Sequence, residues 1–196
     1  MTKKTKVDPD EYTDDRVEGS ANTEINAEAT KQTDTEVKVE QEKPKTFATE
    51  SFNVDHTKVT APYVRIASTK VGKKGDTVVK YDVRFCQPNF ECMSTGTIHT
   101  LEHLIAEIMH SSFENVIDVS PMGCRTGFYI TMFDGVKEET MAQVMVQVLQ
   151  KVAIWNGDIP GATAQTCGNY KDHDIIGAKK QAMMFIGGIM SKGYGA

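Results

Sequence analysis

Apolar and polar side chains alternate through the stretch Thr77-Val-Val-Lys-Tyr-Asp-Val-Arg-Phe85. Successive side chains of a β-strand point to opposite faces of the sheet, so this pattern predicts a strand with one face in the core. Four apolar side chains would share the core face: Val79, Tyr81, Val83 and Phe85. The opposite face would carry Lys80, Asp82, Arg84 and the following Cys86. That face is polar enough to contribute to a functional site.

Three more strands and three helices are indicated along the rest of the chain. The strands are predicted at residues 61–67, 117–119 and 127–133, and the helices at 98–113, 138–155 and 175–190. Hairpin-like strands with separate long helices are typical of the α+β class. We therefore predict an antiparallel sheet with the helices packed on one face.

Two details of the predicted helices can be checked against a structure. Thr97 precedes the first helix and is the expected N-cap. Met141 and Met145 fall on the apolar stripe of the second helix, so we assign them to the core rather than to a cofactor site.

Charge and composition exclude several classes of protein. The 196 residues include 22 basic and 27 acidic side chains, a net charge of -5, and the isoelectric point is about 5.6. This balance excludes a basic nucleic-acid-binding protein. No apolar run approaches the ~20 residues that span a bilayer, and no apolar stretch of signal-peptide length follows the charged N-terminus. The sequence therefore predicts a cytoplasmic protein that does not bind membranes.

The chain divides into two parts of different composition. Residues 1–46 hold 12 acidic and 8 basic side chains and contain no Leu, Phe or Trp. Such a segment cannot bury enough apolar surface to offset the entropy lost on ordering its backbone. We predict that 1–46 is a disordered acidic extension and that 47–196 is a single folded domain.

The motif His99-Thr-Leu-Glu-His103 lies within the first predicted helix. Residues four apart lie on one helix face about one turn from each other, so two imidazoles in this spacing can bind one metal ion. Glu102 falls on the neighbouring stripe, where its carboxylate could act on a bound group without being a ligand. The alternative is a pair of surface histidines that bind nothing.

A catalytic metal site needs a third protein ligand and one open position. Seven side chains could supply that ligand: Cys86, Cys92, Cys124, Cys167, His56, His110 and His173. A thiolate is favoured because it binds soft divalent metals strongly. Structural disulfides are not expected in a cytoplasmic chain. Spacing alone does not choose among the seven.

Four motifs in order resemble those of one enzyme family. They are His99-Thr-Leu-Glu-His103, Arg84-Phe-Cys-Gln-Pro-Asn89, Ser120-Pro-Met-Gly-Cys-Arg-Thr-Gly-Phe-Tyr129, and Cys167-Gly168 with His173 downstream. Together they resemble S-ribosylhomocysteine lyase, the LuxS family of quorum-signal synthases. The similarity begins near Ser51-Phe-Asn-Val-Asp-His56 and continues to about Lys180, which is nearly all of the predicted domain.

The resemblance implies a set of functional residues. His99, His103 and Cys167 would bind one divalent metal per subunit, with Fe²⁺ as the native ion, Zn²⁺ or Co²⁺ as substitutes, and no organic cofactor. Cys124 and Glu102 would form the general acid/base pair. Four residues would line the substrate site: Ser51, His56, Arg84 and Asp118. The resemblance also implies a small α+β fold and a homodimer whose active sites lie at the subunit interface.

The implied reaction splits S-ribosylhomocysteine into homocysteine and 4,5-dihydroxy-2,3-pentanedione, the precursor of autoinducer-2. A thioether is a poor leaving group, so the carbonyl must first move along the sugar until the thiol can leave by β-elimination. Each move passes through an enediolate, whose charge a divalent Lewis acid can stabilise by several kcal/mol.

The chain departs from the family pattern in three places. The extension 1–46 is absent from typical members. His110 occupies a position that usually holds an arginine, which would bind the carboxylate of the substrate. Residues 111–116 and the glycine-rich C-terminus are also unusual. None of these departures touches the implied metal ligands.

Two other functions are compatible with the motifs. His-x-x-Glu-His is also the inverzincin motif of metallopeptidases, in which a carboxylate is the third ligand. A non-enzymatic metal-binding module would instead use Cys124 as one ligand of a closed four-ligand site. A free Cys124 beside a metal site with an open position favours the lyase.

Overall fold

The computed structural model of the protein describes residues 47–194. Four antiparallel strands form one sheet: β1 (Tyr63–Val71), β2 (Thr77–Arg84), β3 (Val116–Pro121) and β4 (Gly127–Phe133). The strand order is β1-β2-β4-β3, so the alternating stretch read as β2 lies in the centre of the sheet. A short 3-10 turn, Glu50–Asn53, precedes β1. The predicted extension 1–46 lies outside the described residues.

Three helices complete the described fold: α1 (Thr95–Ser112), α2 (Glu138–Ala153) and α3 (Ile175–Lys192). They pack against one another, and α1 also contacts β3 while α2 contacts β1. The predicted α+β class, an antiparallel sheet with helices, is confirmed. Within residues 47–194, no helix combines the length and apolar character that a membrane-spanning segment needs.

The core lies between the helices and the inner face of the sheet. Val79, Tyr81 and Val83 of β2 are buried there, as the alternation predicts. Met141 and Met145 of α2 are 1% and 0% exposed, so their assignment to the core is also confirmed. Each large apolar side chain buried in this way contributes about 1.5 to 3 kcal/mol to folding.

The opposite face of β2 is polar, but it is not open to solvent. Asp82 is 0% exposed and Arg84 is 1% exposed. The register of the sheet explains this burial, because β1 places Arg65 opposite Asp82 and Tyr63 opposite Arg84. Gly127 of β4 lies opposite Arg84 on the other side, where an added Cβ would collide with the carbonyl oxygen of Val83. The close approach of β2 and β4 therefore requires glycine at this position.

The predicted N-cap of α1 is wrong by one turn. Ser94 caps the helix, because its hydroxyl accepts a hydrogen bond from the backbone N–H of Thr97. The Thr97 hydroxyl instead donates to the carboxylate of Asp174, at the start of α3. The hydrogen-bond acceptor of Thr97 thus lies in a distant segment, which the local sequence does not reveal.

Candidate metal and catalytic site

Helix α1 brings His99 and His103 together. The two residues lie in the second and third turns, and their Nε2 atoms are 3.1 Å apart. The imidazole planes are nearly perpendicular, at 79°. The four-residue spacing therefore directs both rings to a common point, as the motif predicts.

Backbone carbonyl groups determine which nitrogen of each ring is protonated. Nδ1 of His99 lies 2.8 Å from the carbonyl oxygen of Asp172, and Nδ1 of His103 lies 2.6 Å from that of Pro160. A carbonyl oxygen only accepts hydrogen bonds, so both Nδ1 atoms carry the proton and donate it. The two Nε2 atoms then present lone pairs to each other at 3.1 Å. Two lone pairs cannot form a hydrogen bond, but both can bind one cation between them.

Cys167 supplies a third donor to the same point. Its Sγ atom lies 3.3 Å from Nε2 of His99, and the backbone N–H of Asn169 donates to the sulfur at 3.4 Å. Around a tetrahedral zinc ion, two nitrogen ligands lie about 3.3 Å apart, and a nitrogen and a sulfur about 3.6 Å apart. The observed separations fit this geometry, so the residues could hold a divalent metal ion.

His173 is the fourth member of this group, which we call the donor cluster: His99, His103, Cys167 and His173. The potential ligand atoms of the four side chains lie within 4.8 Å of one another. Nδ1 of His173 lies 3.2 Å from the hydroxyl of Thr100. That hydroxyl already donates to Gly96 and accepts from Asp174, so it accepts from His173 with its remaining lone pair. Nε2 of His173 is buried and has no hydrogen-bond partner.

The orientation of His173 differs from that of the other two histidines. Its ring stacks on His99, with centroids 4.1 Å apart and an interplanar angle of 21°. An imidazole lone pair lies in the plane of its ring, so stacked rings direct their lone pairs side by side rather than to one point. Burial, and then His99 and His103, lower the pKa of His173, which keeps the ring neutral. Three donor atoms therefore converge, and His173 lies beside them with its ring stacked on that of His99.

Hydrogen bonds between α1 and α3 hold the donor cluster in place. Asp174 caps α3 by accepting from the backbone N–H of Gly177 at 2.8 Å, and it also accepts from Thr97 at 2.9 Å. These bonds, that of Gly177 first, lower the pKa of Asp174. At Gly96, an added Cβ would lie 3.2 Å from the Asp172 side chain and 3.3 Å from the His173 backbone. The segment bearing His173 therefore packs closely on the first turn of α1.

A cavity of about 340 Å³ lies beside the donor cluster. Its walls include Glu102, His103, Glu107 and His110 from α1, and Pro160 and Gly161 from the loop that follows α2. Glu102 thus lines the same cavity as His103 without being a member of the donor cluster. The cavity supplies space for a polar organic ligand at this position.

Cys124 belongs to a second cluster, in the turn between β3 and β4. The residue is exposed, and its sulfur lies 3.1 Å from the Thr126 hydroxyl and 3.9 Å from Nη1 of Arg84. We call Cys124, Thr126, Arg84 and Asp82 the thiol cluster. Sequence reasoning did not identify Asp82 as a functional residue, although its place beside Arg84 on the polar face was a signal. Arg125, which follows Cys124, donates to the carbonyl oxygen of Met93.

No hydrogen bond joins the two clusters within residues 47–194. Cys124 is not among the four side chains of the donor cluster. Three of the residues expected to bind substrate are spread over other segments. Ser51 lies in the 3-10 turn before β1, His56 forms a 2.8 Å contact with the carbonyl of Val54, and Asp118 is exposed on β3, where it accepts from Ser120.

Comparisons with known proteins give a consistent result. The profile of a family described as S-ribosylhomocysteinase (LuxS) matches residues 49–193. An S-ribosylhomocysteine lyase of Thermus thermophilus is 51% identical over 133 residues, which cover 68% of this chain and 85% of the relative. The enzyme of the same name from Leuconostoc citreum is 45% identical over 138 residues, covering 70% and 87%. That of Streptococcus suis is 43% identical over 145 residues, covering 72% and 90%.

Proposed function

The chain belongs to the S-ribosylhomocysteinase (LuxS) family, and on that membership we propose how its side chains divide the chemistry of a carbon–sulfur lyase. The enzyme cleaves S-ribosylhomocysteine to homocysteine and 4,5-dihydroxy-2,3-pentanedione. The carbonyl group moves along the sugar chain until the bond to sulfur is β to an acidic C–H, and the thiol then leaves. The observation that carries the assignment of roles is the convergence of three donor atoms beside a cavity that Glu102 lines.

His99, His103 and Cys167 are the proposed ligands of one divalent ion per subunit. Two imidazoles and one thiolate suit iron, zinc and cobalt, and we propose Fe²⁺ as the native ion with Zn²⁺ or Co²⁺ as substitutes. When bound, such an ion supplies Lewis acidity that stabilises negative charge on the oxygens of the substrate. Metal analysis of protein purified without oxygen tests this proposal, and one equivalent of iron is expected.

Cys124 and Glu102 are the proposed groups that move protons. The Cys124 sulfur removes a proton from one sugar carbon and returns it to the neighbouring carbon, so that each cycle shifts the carbonyl by one position. The Arg84 guanidinium, 3.9 Å from this sulfur, can stabilise negative charge on it. Glu102 transfers protons between the substrate oxygens and protonates the departing homocysteine sulfur. No organic cofactor is required, because every step is a proton transfer or an elimination.

Four side chains are proposed to contact the substrate: Ser51, His56, Arg84 and Asp118. Arg84 is 1% exposed, so only its Nη1 edge near Cys124 is directed towards a ligand at that cluster. Asp118 is exposed on β3, and His56 and Ser51 lie in the segment before β1. These four residues lie in different segments of the chain. A substrate that contacts all of them must therefore bind to a surface larger than the donor cluster.

A homodimer would bring the two clusters together. Cys124 is exposed and lies outside the donor cluster, yet the proposed chemistry needs both at one substrate. We therefore place each active site at the interface of two chains, with the metal ligands from one subunit and Cys124 from its partner. A twofold symmetric dimer then forms two such sites.

Mixing two inactive variants tests this arrangement. A subunit with Cys124→Ala keeps its metal ligands, and a subunit with Cys167→Ala keeps its thiol cluster. Unfolding and refolding them together should restore about a quarter of the wild-type activity, because half of the dimers are mixed and each holds one intact site. Mixing Cys167→Ala with His103→Ala is the control and should restore none. No recovery from the first mixture, with mixed dimers demonstrated by mass spectrometry, would place both clusters in one subunit.

The lyase activity itself is tested by release of thiol. Protein purified without oxygen should liberate homocysteine from S-ribosylhomocysteine, measured with a thiol reagent, and the Cys124→Ala variant should not. Failure of the metal-loaded protein to release thiol would contradict the assigned function.

We also propose a cytoplasmic location. All four cysteines, which lie within the described residues, are free thiols, and two of them, Cys124 and Cys167, carry functions that require the reduced state. A reducing compartment preserves these groups. Fractionation of cells that express the protein would test the proposal.

A further inference from the structure

Asp82 is a carboxylate with no exposed surface that accepts hydrogen bonds from two arginines. Arg84 donates to it through Nη2 at 2.8 Å and through Nε at 3.1 Å. Arg65 donates through Nη2 at 3.0 Å and through Nε at 3.2 Å, and the hydroxyl of Tyr63 lies at 3.4 Å. Three different side chains therefore contact one buried carboxylate.

The charges around Asp82 do not balance. Two guanidinium groups share one carboxylate, which leaves one positive charge in excess. Arg65 is 25% exposed and can be hydrated, whereas Arg84 is 1% exposed and cannot. Burial alone would lower the pKa of Arg84, but its bonds to Asp82 outweigh this effect and raise it, so the guanidinium remains charged. A buried charge that is only partly neutralised favours a further anionic partner.

The geometry of Arg84 directs that excess charge to Cys124. A guanidinium is planar and rigid, so two bonds to one carboxylate determine the orientation of the whole group. With Nε and Nη2 on Asp82, Nη1 is the remaining nitrogen. It donates to the Thr126 hydroxyl at 2.6 Å and lies 3.9 Å from the Cys124 sulfur. The Thr126 hydroxyl in turn lies 3.1 Å from that sulfur.

We propose that Asp82 is a positioning residue for the lyase reaction. It holds the Arg84 guanidinium with Nη1 towards Cys124, and through Arg84 it favours negative charge on the sulfur, which makes the sulfur more reactive towards electrophiles. This inference rests on the proposed role of Cys124 as the group that moves protons at carbon. Asp82 itself touches neither the sulfur nor the substrate.

The direction in which Asp82→Asn changes the alkylation rate of Cys124 separates a positioning role of Asp82 from a direct effect of its charge. Asp82→Asn removes a negative charge near Cys124, and electrostatics without positioning would make the sulfur more anionic and its alkylation faster. If Asp82 acts by holding Arg84, alkylation becomes slower, because the guanidinium is no longer directed to the sulfur. A role confined to folding would leave the rate unchanged.

The experiment measures the rate at which iodoacetamide modifies Cys124 at neutral pH in the metal-loaded protein. A Cys92→Ala background removes the other exposed thiol. We expect Asp82→Asn to slow this rate by about tenfold, the scale of one charge-assisted hydrogen bond. The exposed Asp76, in the turn between β1 and β2, supplies the matched control, and Asp76→Asn should not change the rate. A faster or unchanged rate in Asp82→Asn would overturn the proposal.

A second comparison tests whether Asp82 acts through Arg84. In an Arg84→Met background, Asp82→Asn should have no additional effect on the alkylation rate, whereas an equal effect in both backgrounds would contradict the inference. If Asp82→Asn does not fold, Asp82→Glu keeps the charge but moves the carboxylate by one methylene. Positioning predicts slower alkylation in this variant, and an unchanged rate contradicts it.

Measuring thiol release as well as alkylation distinguishes failure of this inference from failure of the proposed function. The Asp82 variants should lose kcat in thiol release, because the sulfur that moves protons is less reactive. If wild-type protein releases no thiol from S-ribosylhomocysteine, the proposed function fails. The alkylation rates would still decide whether Asp82 controls Cys124.

Discussion

The donor cluster and the thiol cluster each contain a cysteine, but they are built in opposite ways. In the donor cluster, backbone carbonyls orient two imidazoles so that their Nε2 atoms converge. In the thiol cluster, the Arg84 guanidinium, held by Asp82, lies beside a sulfur that remains exposed. The first arrangement suits a cation, and the second suits an anionic sulfur. We therefore expect the sulfur of the donor cluster to bind a metal ion and the sulfur of the thiol cluster to react.

The largest effect is expected when the donor cluster loses its sulfur. Cys167→Ala should abolish both metal binding and thiol release, because two histidines alone leave the ion with too few protein ligands. Metal content per subunit and activity are measured on the same preparation. Cys92→Ala, an exposed cysteine outside both clusters, is the control and should keep both. A Cys167→Ala protein with a full complement of metal would assign the third ligand to another residue.

Loss of the sulfur of the thiol cluster should affect activity but not metal binding. Cys124→Ala should retain one metal per subunit but lose at least ~100-fold in activity, the scale for removing a positioned acid or base. Metal analysis and thiol release again provide the readout. Loss of the metal together with the activity would mean that Cys124 is a ligand, and the contrast between the two clusters would disappear.

Chemical labelling compares the two sulfurs within one protein. In the Cys92→Ala background, a brief exposure of metal-loaded protein to iodoacetamide should modify Cys124 before Cys167. Cys124 is exposed beside a guanidinium, whereas coordination by Cys167 to the proposed metal would shield its sulfur. Peptide mapping by mass spectrometry gives the order. Removal of the metal with a chelator should raise the labelling of Cys167, and earlier labelling of Cys167 in the loaded protein would reverse the assignment.

A smaller effect is expected at the bonds that support the donor cluster. Asp174→Ala should reduce the free energy of unfolding at pH 7 by about 1 kcal/mol, the usual contribution of a helix N-cap. The folded-state pKa of Asp174 is lowered, so its charge stabilises the protein above the unfolded pKa of about 3.9. This contribution is lost as the pH falls through the lower folded-state pKa.

Urea unfolding at pH 7 and near pH 3 measures this dependence. The difference between wild type and Asp174→Ala should shrink at the lower pH. Asp174→Asn keeps an acceptor for the cap without the charge, so it should cost less and depend less on pH. A difference that grows on acidification would contradict the assigned role.

The smallest effect concerns residues 1–46, which we propose are dispensable for both clusters. A protein beginning at Phe47 contains the whole region matched by the family profile. It should fold, retain one metal per subunit and keep its activity within a few-fold, by circular dichroism, metal analysis and thiol release. A soluble truncated protein that lost its metal or its activity would show that the acidic segment supports the domain.

Local patterns predicted part of the site. The alternation in β2 identified the core side chains Val79, Tyr81 and Val83, because the two-residue period of a strand is a local property. The spacing of His99 and His103 placed both rings on one helix face for the same kind of reason. The cap of α1 was mistaken because Thr97 has a partner, Asp174, that is 77 residues away.

Periodicity and the order of motifs along the chain predicted the strands and helices of this protein, the helical histidine pair and the family resemblance. Two of the seven candidates, Cys167 and His173, reach the pair only through the tertiary fold, and Cys167 does so across 68 residues. The tertiary structure alone revealed that carbonyls of Asp172 and Pro160 orient the imidazoles, and that Arg84 is buried on Asp82 with one edge towards Cys124. Those contacts join segments that are distant along the chain. Their geometry depends on how strands and helices pack, which no local pattern specifies.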